Sequence, residues 1–173
     1  GVGMWSVVVV LPTVQADFGV SRADASFAYT LTLLGFGSGG ILMGRIADRY
    51  GIFRPLVAGA FMLAGGYTVA AYAQNIWVFA IAHGVMIGLL GSSVSFAPMM
   101  ADVSLWFQRR RGIAVAIVAS GNYLAGTVWP PIVQSLVASY GWRLTHLAIG
   151  AFCLVFMLPL AFGLRRRSPL IGA

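Results

Sequence analysis

Residues 44–54 read Gly44-Arg45-Ile46-Ala47-Asp48-Arg49-Tyr50-Gly51-Ile52-Phe53-Arg54. The block carries three Arg and one Asp, yet no Asp or Arg occurs in 25–44 up to its first residue or in 55–101 after it. Charge gathered between two uncharged runs is the pattern of a loop joining membrane-crossing helices, each of which needs about 20 apolar residues to span a hydrocarbon core of roughly 30 Å. Gly44 and Gly51 permit close backbone approach and a tight turn in such a loop.

Working outward, the other charge-free intervals are 1–16, 112–142 and 144–164. The intervals 25–44 and 144–164 suit single crossings. The interval 112–142 suits one long crossing that leaves through the polar turn Ser139-Tyr140-Gly141-Trp142. The stretch 55–101 is too long for one helix and divides where two amides, Gln74-Asn75, interrupt it, into crossings near 55–73 and 77–101. Residues 1–16 reach only about 24 Å as a helix. They read as a truncated first helix, because neither a basic leader region nor a small-residue cleavage site marks a signal peptide. Six crossings are therefore expected, and the lack of period-2 alternation excludes a β-barrel.

Composition supports this reading. Of 173 residues, 60% are hydrophobic and 9% charged, against about 25% charged in soluble domains. That excludes a water-soluble globule and a disordered chain, and the single cysteine, Cys153, excludes a disulfide scaffold. The charge consists of eleven Arg and four Asp (Asp17, Asp24, Asp48 and Asp102), with no Lys or Glu. A net charge of +7 suggests a nucleic-acid partner only where it forms a solvated basic face. Here the Arg residues sit in short clusters between apolar runs, so no nucleic acid is expected.

The Arg positions orient the chain. Alternating the segments puts loops 45–54, 109–111 and 165–167 on one side with nine Arg, and leaves Arg22 and Arg143 on the other. The Arg-rich side is expected to be cytoplasmic. Tyr50, Trp77, Trp106 and Trp142 fall at the predicted interfaces.

The 44–54 block resembles the signature loop of the major facilitator superfamily, which lies between the second and third helices, and departs from it at Ile52 and Phe53, where basic residues are usual. The resemblance implies a cytoplasmic latch made by Gly44, Asp48, Arg49, Gly51 and Arg54. A second stretch, Trp106-Phe107-Gln108-Arg109-Arg110-Arg111-Gly112 followed by Ala114, Ser120-Gly121, Gly126 and Pro130-Pro131, looks like the fourth-loop and fifth-helix region of monocarboxylate and oxalate/formate-type members. It implies an all-α membrane protein, with residues 1–164 as the N-terminal six-helix half of a transporter bundle. Residues 165–173 (Arg165-Arg166-Arg167-Ser168-Pro169 onward) would open a central cytoplasmic linker, and a C-terminal six-helix half is the implied partner. Substrate binds between such halves near the midplane. The function implied is secondary active transport of a small solute such as a monocarboxylate, with proton symport, by alternating access in a bacterial inner (cell) membrane. The rival is a non-transporting or channel-type six-helix subunit that oligomerises through glycine faces.

Gly84 and Gly88, with Ser92 a turn further on, form one smooth face expected to pack closely on a neighbouring helix. The run Gly35-Phe36-Gly37-Ser38-Gly39-Gly40 follows no strand and lacks a Lys-Ser/Thr ending, so it is not a phosphate loop. Polar residues within crossings are the site candidates, since each is expensive in hydrocarbon. Trp5, Tyr29, His83, Asn122 and Tyr123 are the candidate transport path. Thr13, Thr30, Ser92, Ser93, Ser95 and Trp129 are lesser ones, and interhelical hydrogen bonding would explain any of them as well. His83 can titrate near neutral pH; it is either a coupling residue or a structurally hydrogen-bonded one. His146 is expected at the outer interface, and Asp102 is expected to pair with Arg109–Arg111. No catalytic constellation, metal site or cofactor site emerges.

Overall fold

The structure is a computed structural model and describes residues 2–165. Residues 166–173 of the expected 165–173 linker lie outside the described residues. Among the described residues every regular element is helical. The order is α1 (Val2–Phe18), α2 (Arg22–Tyr50), α3 (Phe53–Ala71), α4 (Ile76–Ile81), a π-helical segment (Ala82–Leu89), a 3₁₀ turn (Ser92–Ser95), α5 (Ala97–Trp106) and α6 (Arg111–Gly163). Three stretches are long and apolar enough by length and composition to cross a membrane: Arg22–Tyr50, Ile76–Trp106 and Arg111–Gly163. The 17-residue α1 is apolar but shorter, and α3, which carries Arg54 and Pro55 in its first turn, is not among the three.

Local chemistry sets the boundaries. Ser21 caps α2: its hydroxyl accepts from the Asp24 backbone N–H at 3.1 Å and donates to the Asp24 carboxylate at 2.8 Å. Asn75 caps α4 by accepting from the Val78 backbone at 2.9 Å, so one of the two amides that break the 55–101 run is itself the start signal of the next helix. Within Ile76–Trp106 the helix changes type three times, from α to π to 3₁₀ and back to α. Pro98 lacks an N–H, and its ring clashes with the carbonyl four residues back. Ser93 and Ser95 then cap carbonyls of the irregular turn by donating to Leu89 and Ser92 at 2.6 and 2.7 Å.

A straight helix of 53 residues would be about 80 Å long, more than twice the hydrocarbon thickness. It breaks at Gly141, where φ is 81° and ψ is 162°, a region essentially reserved for glycine. Trp129 and Phe152, at similar distances on either side of Gly141, stack edge-on with ring centroids 5.1 Å apart. The arms 111–140 and 142–163 therefore run antiparallel as a hairpin.

In lipid, apolar burial gives little drive for helix association, which rests instead on close van der Waals fit and interhelical hydrogen bonds. Small residues supply the fit here. A Cβ on Gly35 or Gly39 of α2 would collide with the carbonyl oxygens of Gly84 and Leu89, and one on Gly84 or Gly88 would press on Leu31 and Thr32. The two glycine faces thus interlock backbone to backbone. The main apolar core gathers α1, α3, α4 and the second arm of α6, with Val7, Val10, Tyr67, Phe79 and Ile149 fully or almost fully buried. A smaller cluster around Met43, Leu56, Val94 and Ala161 closes the Arg-rich end.

Candidate functional site

The expected 45–54 loop is mostly helix: Gly44, Asp48 and Arg49 lie in the last turns of α2, Arg54 lies in the first turn of α3, and only Gly51 of the latch residues stands in the two-residue turn between them. Gly51 takes φ 84° and ψ 163°, and its N–H closes α2 on the Ala47 carbonyl at 2.8 Å. Tyr50 is held between two cations, with the guanidinium carbons of Arg49 and Arg54 5.4 and 5.5 Å from its ring centroid. Asp48 is exposed and lines, with Gly40, Gly44 and Asp102, a cavity of about 240 Å³ between α2 and α5. Asp102 does not pair with Arg109–Arg111 as expected. Its carboxyl faces this cavity from α5, and the ion pair found among the described residues is Arg143 with Asp17, at 3.3 Å.

The candidate path residues do not form one cluster. Trp5 is half-buried in the seam between α1 and α6; a Cβ on Gly126 would meet its indole ring at 2.8 Å, and its buried Nε1 has no hydrogen-bond partner. Asn122, four residues before Gly126, is half-buried and shares that face of α6. Tyr29 packs partly buried against the main core. Tyr123 projects outward and is 70% exposed. His83 is fully buried and so shares no surface with Tyr123.

His83 instead meets a residue expected elsewhere. His146 is also fully buried, and the two Nε2 atoms lie 3.0 Å apart. The interfacial expectation for His146 fails because the Gly141 break is so tight that the second arm begins at once. Residue 146 then lies a full turn inside, facing α4, with its Nδ1 3.1 Å from the Trp142 carbonyl. A carbonyl only accepts, so His146 Nδ1 donates. In neutral rings its Nε2 then accepts from His83 Nε2, which leaves His83 Nδ1 a buried acceptor without a partner. Phe79, Tyr67 and Trp142 wall the pair, with the Phe79 and His83 ring centroids 4.4 Å apart. Tyr67 hydroxyl meets Ser6 of α1 at 2.6 Å.

At the same end Arg143 ties three helices together. Its Nη1 donates to the Ala71 and Ala73 carbonyls, both at 2.7 Å, groups that the end of α3 leaves without helical partners. Its Nη2 reaches Asp17 at the end of α1, and the same carboxylate accepts from Trp142 Nε1 at 3.2 Å. The guanidinium lies 4.4 Å from the Trp142 ring centroid. Trp142, expected at the interface, is therefore almost fully buried, whereas Trp77, Trp106 and Tyr50 are exposed. In the sequence Arg143 shows only as a charge on the Arg-poor side, and nothing local marks Tyr67. One available signal was the repeat of Tyr-Gly at 50–51 and 140–141, which marks two turns of one kind.

Apolar helices crossing repeatedly, glycine faces interlocked and charge confined to the ends define a multi-pass, all-α membrane protein. The sequence profile of the Major Facilitator Superfamily matches residues 1–171, and the chain belongs to that superfamily of transporters. It is 32% identical to MFS-type transporter 1 of Ophiocordyceps sp. (strain BCC 1869) over 149 residues, 85% of this chain and 33% of that protein. It is 27% identical to MFS-type transporter pynF of Aspergillus niger over 87% of this chain and 35% of that one. It is also 27% identical to monocarboxylate transporter 3 of Rattus norvegicus, over 86% of this chain and 30% of that one. The chain thus spans about a third of the length of these relatives. They are fungal and mammalian and lend no support to a bacterial membrane as its location.

Proposed function

We propose that this chain forms one six-crossing half of an alternating-access transporter for a small solute. The six crossings are α1, α2, α3, Ile76–Trp106 and the two arms of α6, with the 44–54 turn on the cytoplasmic side. The second half supplies the other wall of the path.

The observation that carries this reading is the outward face of the first arm of α6. At about 100° per residue, Ser120, Tyr123, Thr127 and Gln134 fall in one strip about 60° wide, and Ile113, Ile117, Leu124 and Val128 in the strip beside it. All eight are exposed in this bundle. The aliphatic side suits acyl chains. The polar side does not: a phenol and an amide in hydrocarbon are costly without partners, whereas a solute path between two halves gives them water, substrate or a facing helix. Ser120 and Thr127 already bond back to their own helix, at Ile117 and Tyr123, which leaves Tyr123 and Gln134 as the groups able to contact a solute.

A monocarboxylate is the substrate class favoured by the similarity to monocarboxylate transporter 3. Among the described residues no Arg stands in the interior of the bundle, so the cation that holds the carboxylate belongs to the second half. The His83–His146 pair is the proton-handling element of this half, acting by changing how the second arm of α6 is tied to the helix that carries His83. Asp48, Arg49 and Arg54 form the cytoplasmic latch between Gly44 and Gly51.

The test is uptake of a radiolabelled short monocarboxylate by vesicles holding the protein as its gene encodes it. Saturable uptake driven by an inward proton gradient is expected. His83→Gln should flatten the pH dependence while leaving counterflow exchange intact. Non-saturating passive conductance would instead support a channel-type subunit.

A further inference from the structure

We infer that the hairpin between α5 and α6 is a binding site for one anionic glycerophospholipid of the Arg-rich leaflet. The inference is independent of which solute is carried.

The observation is a groove of about 360 Å³ walled by Val103 and Phe107 of the α5 end and by Ile113, Ala114, Ile117 and Val118 of α6, with Arg110 at its mouth. Apart from Arg110 every lining residue is apolar, and the groove wall itself is almost wholly hydrocarbon. Phe107, Ile113 and Ile117 are 55–66% exposed, so the groove opens sideways from the bundle. From Arg110 to Ile117 the helix rises roughly 10 Å, about a third of the hydrocarbon core. The groove therefore runs from the headgroup level into the acyl region of one leaflet.

Charge complementarity selects the occupant. Arg109, Arg110 and Arg111 are consecutive and exposed, and they form no ion pair among the described residues. Asp102, the acid nearest in sequence, faces the cavity it shares with Asp48. Three uncompensated cations above an apolar slot match a molecule with an anionic head and a hydrocarbon tail. A zwitterionic lipid presents no net charge to them, and an apolar partner helix would leave them unanswered. Arginine suits the headgroup because its planar donor fork meets phosphate oxygens in pairs, and basic residues at the membrane surface favour anionic lipid additively.

Native mass spectrometry of the protein as its gene encodes it, with dioleoylphosphatidylserine and dioleoylphosphatidylcholine titrated separately, tests the assignment. Retention of one phosphatidylserine in preference to phosphatidylcholine is expected. The triple variant Arg109→Gln, Arg110→Gln, Arg111→Gln should lower its apparent affinity by at least about tenfold, and the corresponding triple Lys variant should keep most of it. Ala114→Trp, which fills the slot and leaves every charge in place, should lower it comparably. Equal binding of the two lipids, or phosphatidylserine retention untouched by Ala114→Trp, would overturn the assignment, the second by reducing the effect to diffuse surface charge. Cross-linking of a cysteine at position 117 to another protein segment in native membranes would overturn it too.

Discussion

Two turns in this molecule have the same backbone and opposite surroundings. Gly51 and Gly141 sit at φ 84°, ψ 163° and φ 81°, ψ 162°, each follows a tyrosine, and each reverses the chain between helices within one or two residues. Around Gly141 the bundle is fastened to itself: Arg143 holds two carbonyls of the α3 end and the Asp17 carboxylate, Trp142 shares that carboxylate, and His146 meets His83 one turn deeper. Around Gly51 the contacts are local. Arg49 and Arg54 bracket Tyr50, while Asp48 is exposed beside a cavity and has no ion-pair partner among the described residues. One end is locked within the half, and at the other the Asp48 carboxylate stands open to something outside it. That asymmetry is what the proposed movement of this half against a second one would use.

The strongest blow to the comparison would come from the glycines. Neither conformation tolerates a Cβ without strain, a cost of about 1–3 kcal/mol, and at Gly141 no neighbouring atom lies within 4 Å to add a clash. Gly51→Ala and Gly141→Ala should lower Tm by similar amounts, and a large inequality would mean that the turns are not equivalent. Next comes Arg143→Ala. Charge-assisted hydrogen bonds contribute about 1.5–3 kcal/mol, less where solvent screens them as here, so a loss of about 2 kcal/mol in unfolding free energy is expected. Arg54→Ala should cost well under half of that. Equal losses would erase the difference between a locked and an open end. Smaller still is the histidine contact: a double-mutant cycle of His83→Leu and His146→Leu should return a coupling of about 0.6–1 kcal/mol, and zero coupling would remove the deeper part of the lock. Smallest in stability is Asp48→Asn, below about 0.5 kcal/mol. It should nevertheless slow turnover and shift cysteine accessibility toward the inward-open state, and unchanged labelling of both faces would deny Asp48 its latch role.

The sequence showed the helices more clearly than the site, for a physical reason. Charge and hydropathy act locally, so Arg45–Arg54, Gln74-Asn75 and the run to Gly141 marked where the chain turns, although α2 runs through most of the charged block to Tyr50 and leaves only residues 51–52 between helices. Gly84 and Gly88 showed in their spacing the face that interlocks with Gly35 and Gly39. The His83–His146 contact and the Arg143–Asp17 tie join residues 63 and 126 positions apart, and no local pattern encodes which helices face each other. The place of His146 near the start of the last crossing suggests an interface, but the tight Gly141 turn and the packed Trp142 bury it. Asn122 and Tyr123 looked alike as polar neighbours, yet 100° of helix separates the α1 seam from the open face.

That open face offers the most direct test. With Cys153→Ala as background, single cysteines at Tyr123 and Leu124 are labelled in sealed vesicles by a membrane-impermeant maleimide, with and without transported solute. The two positions are 70% and 62% exposed in this half, so exposure alone predicts equal labelling. A solute path on the polar side predicts that position 123 labels and is protected by the solute, while position 124, facing lipid, stays unlabelled. Labelling of 124 with 123 silent, or of both without protection, would contradict the account.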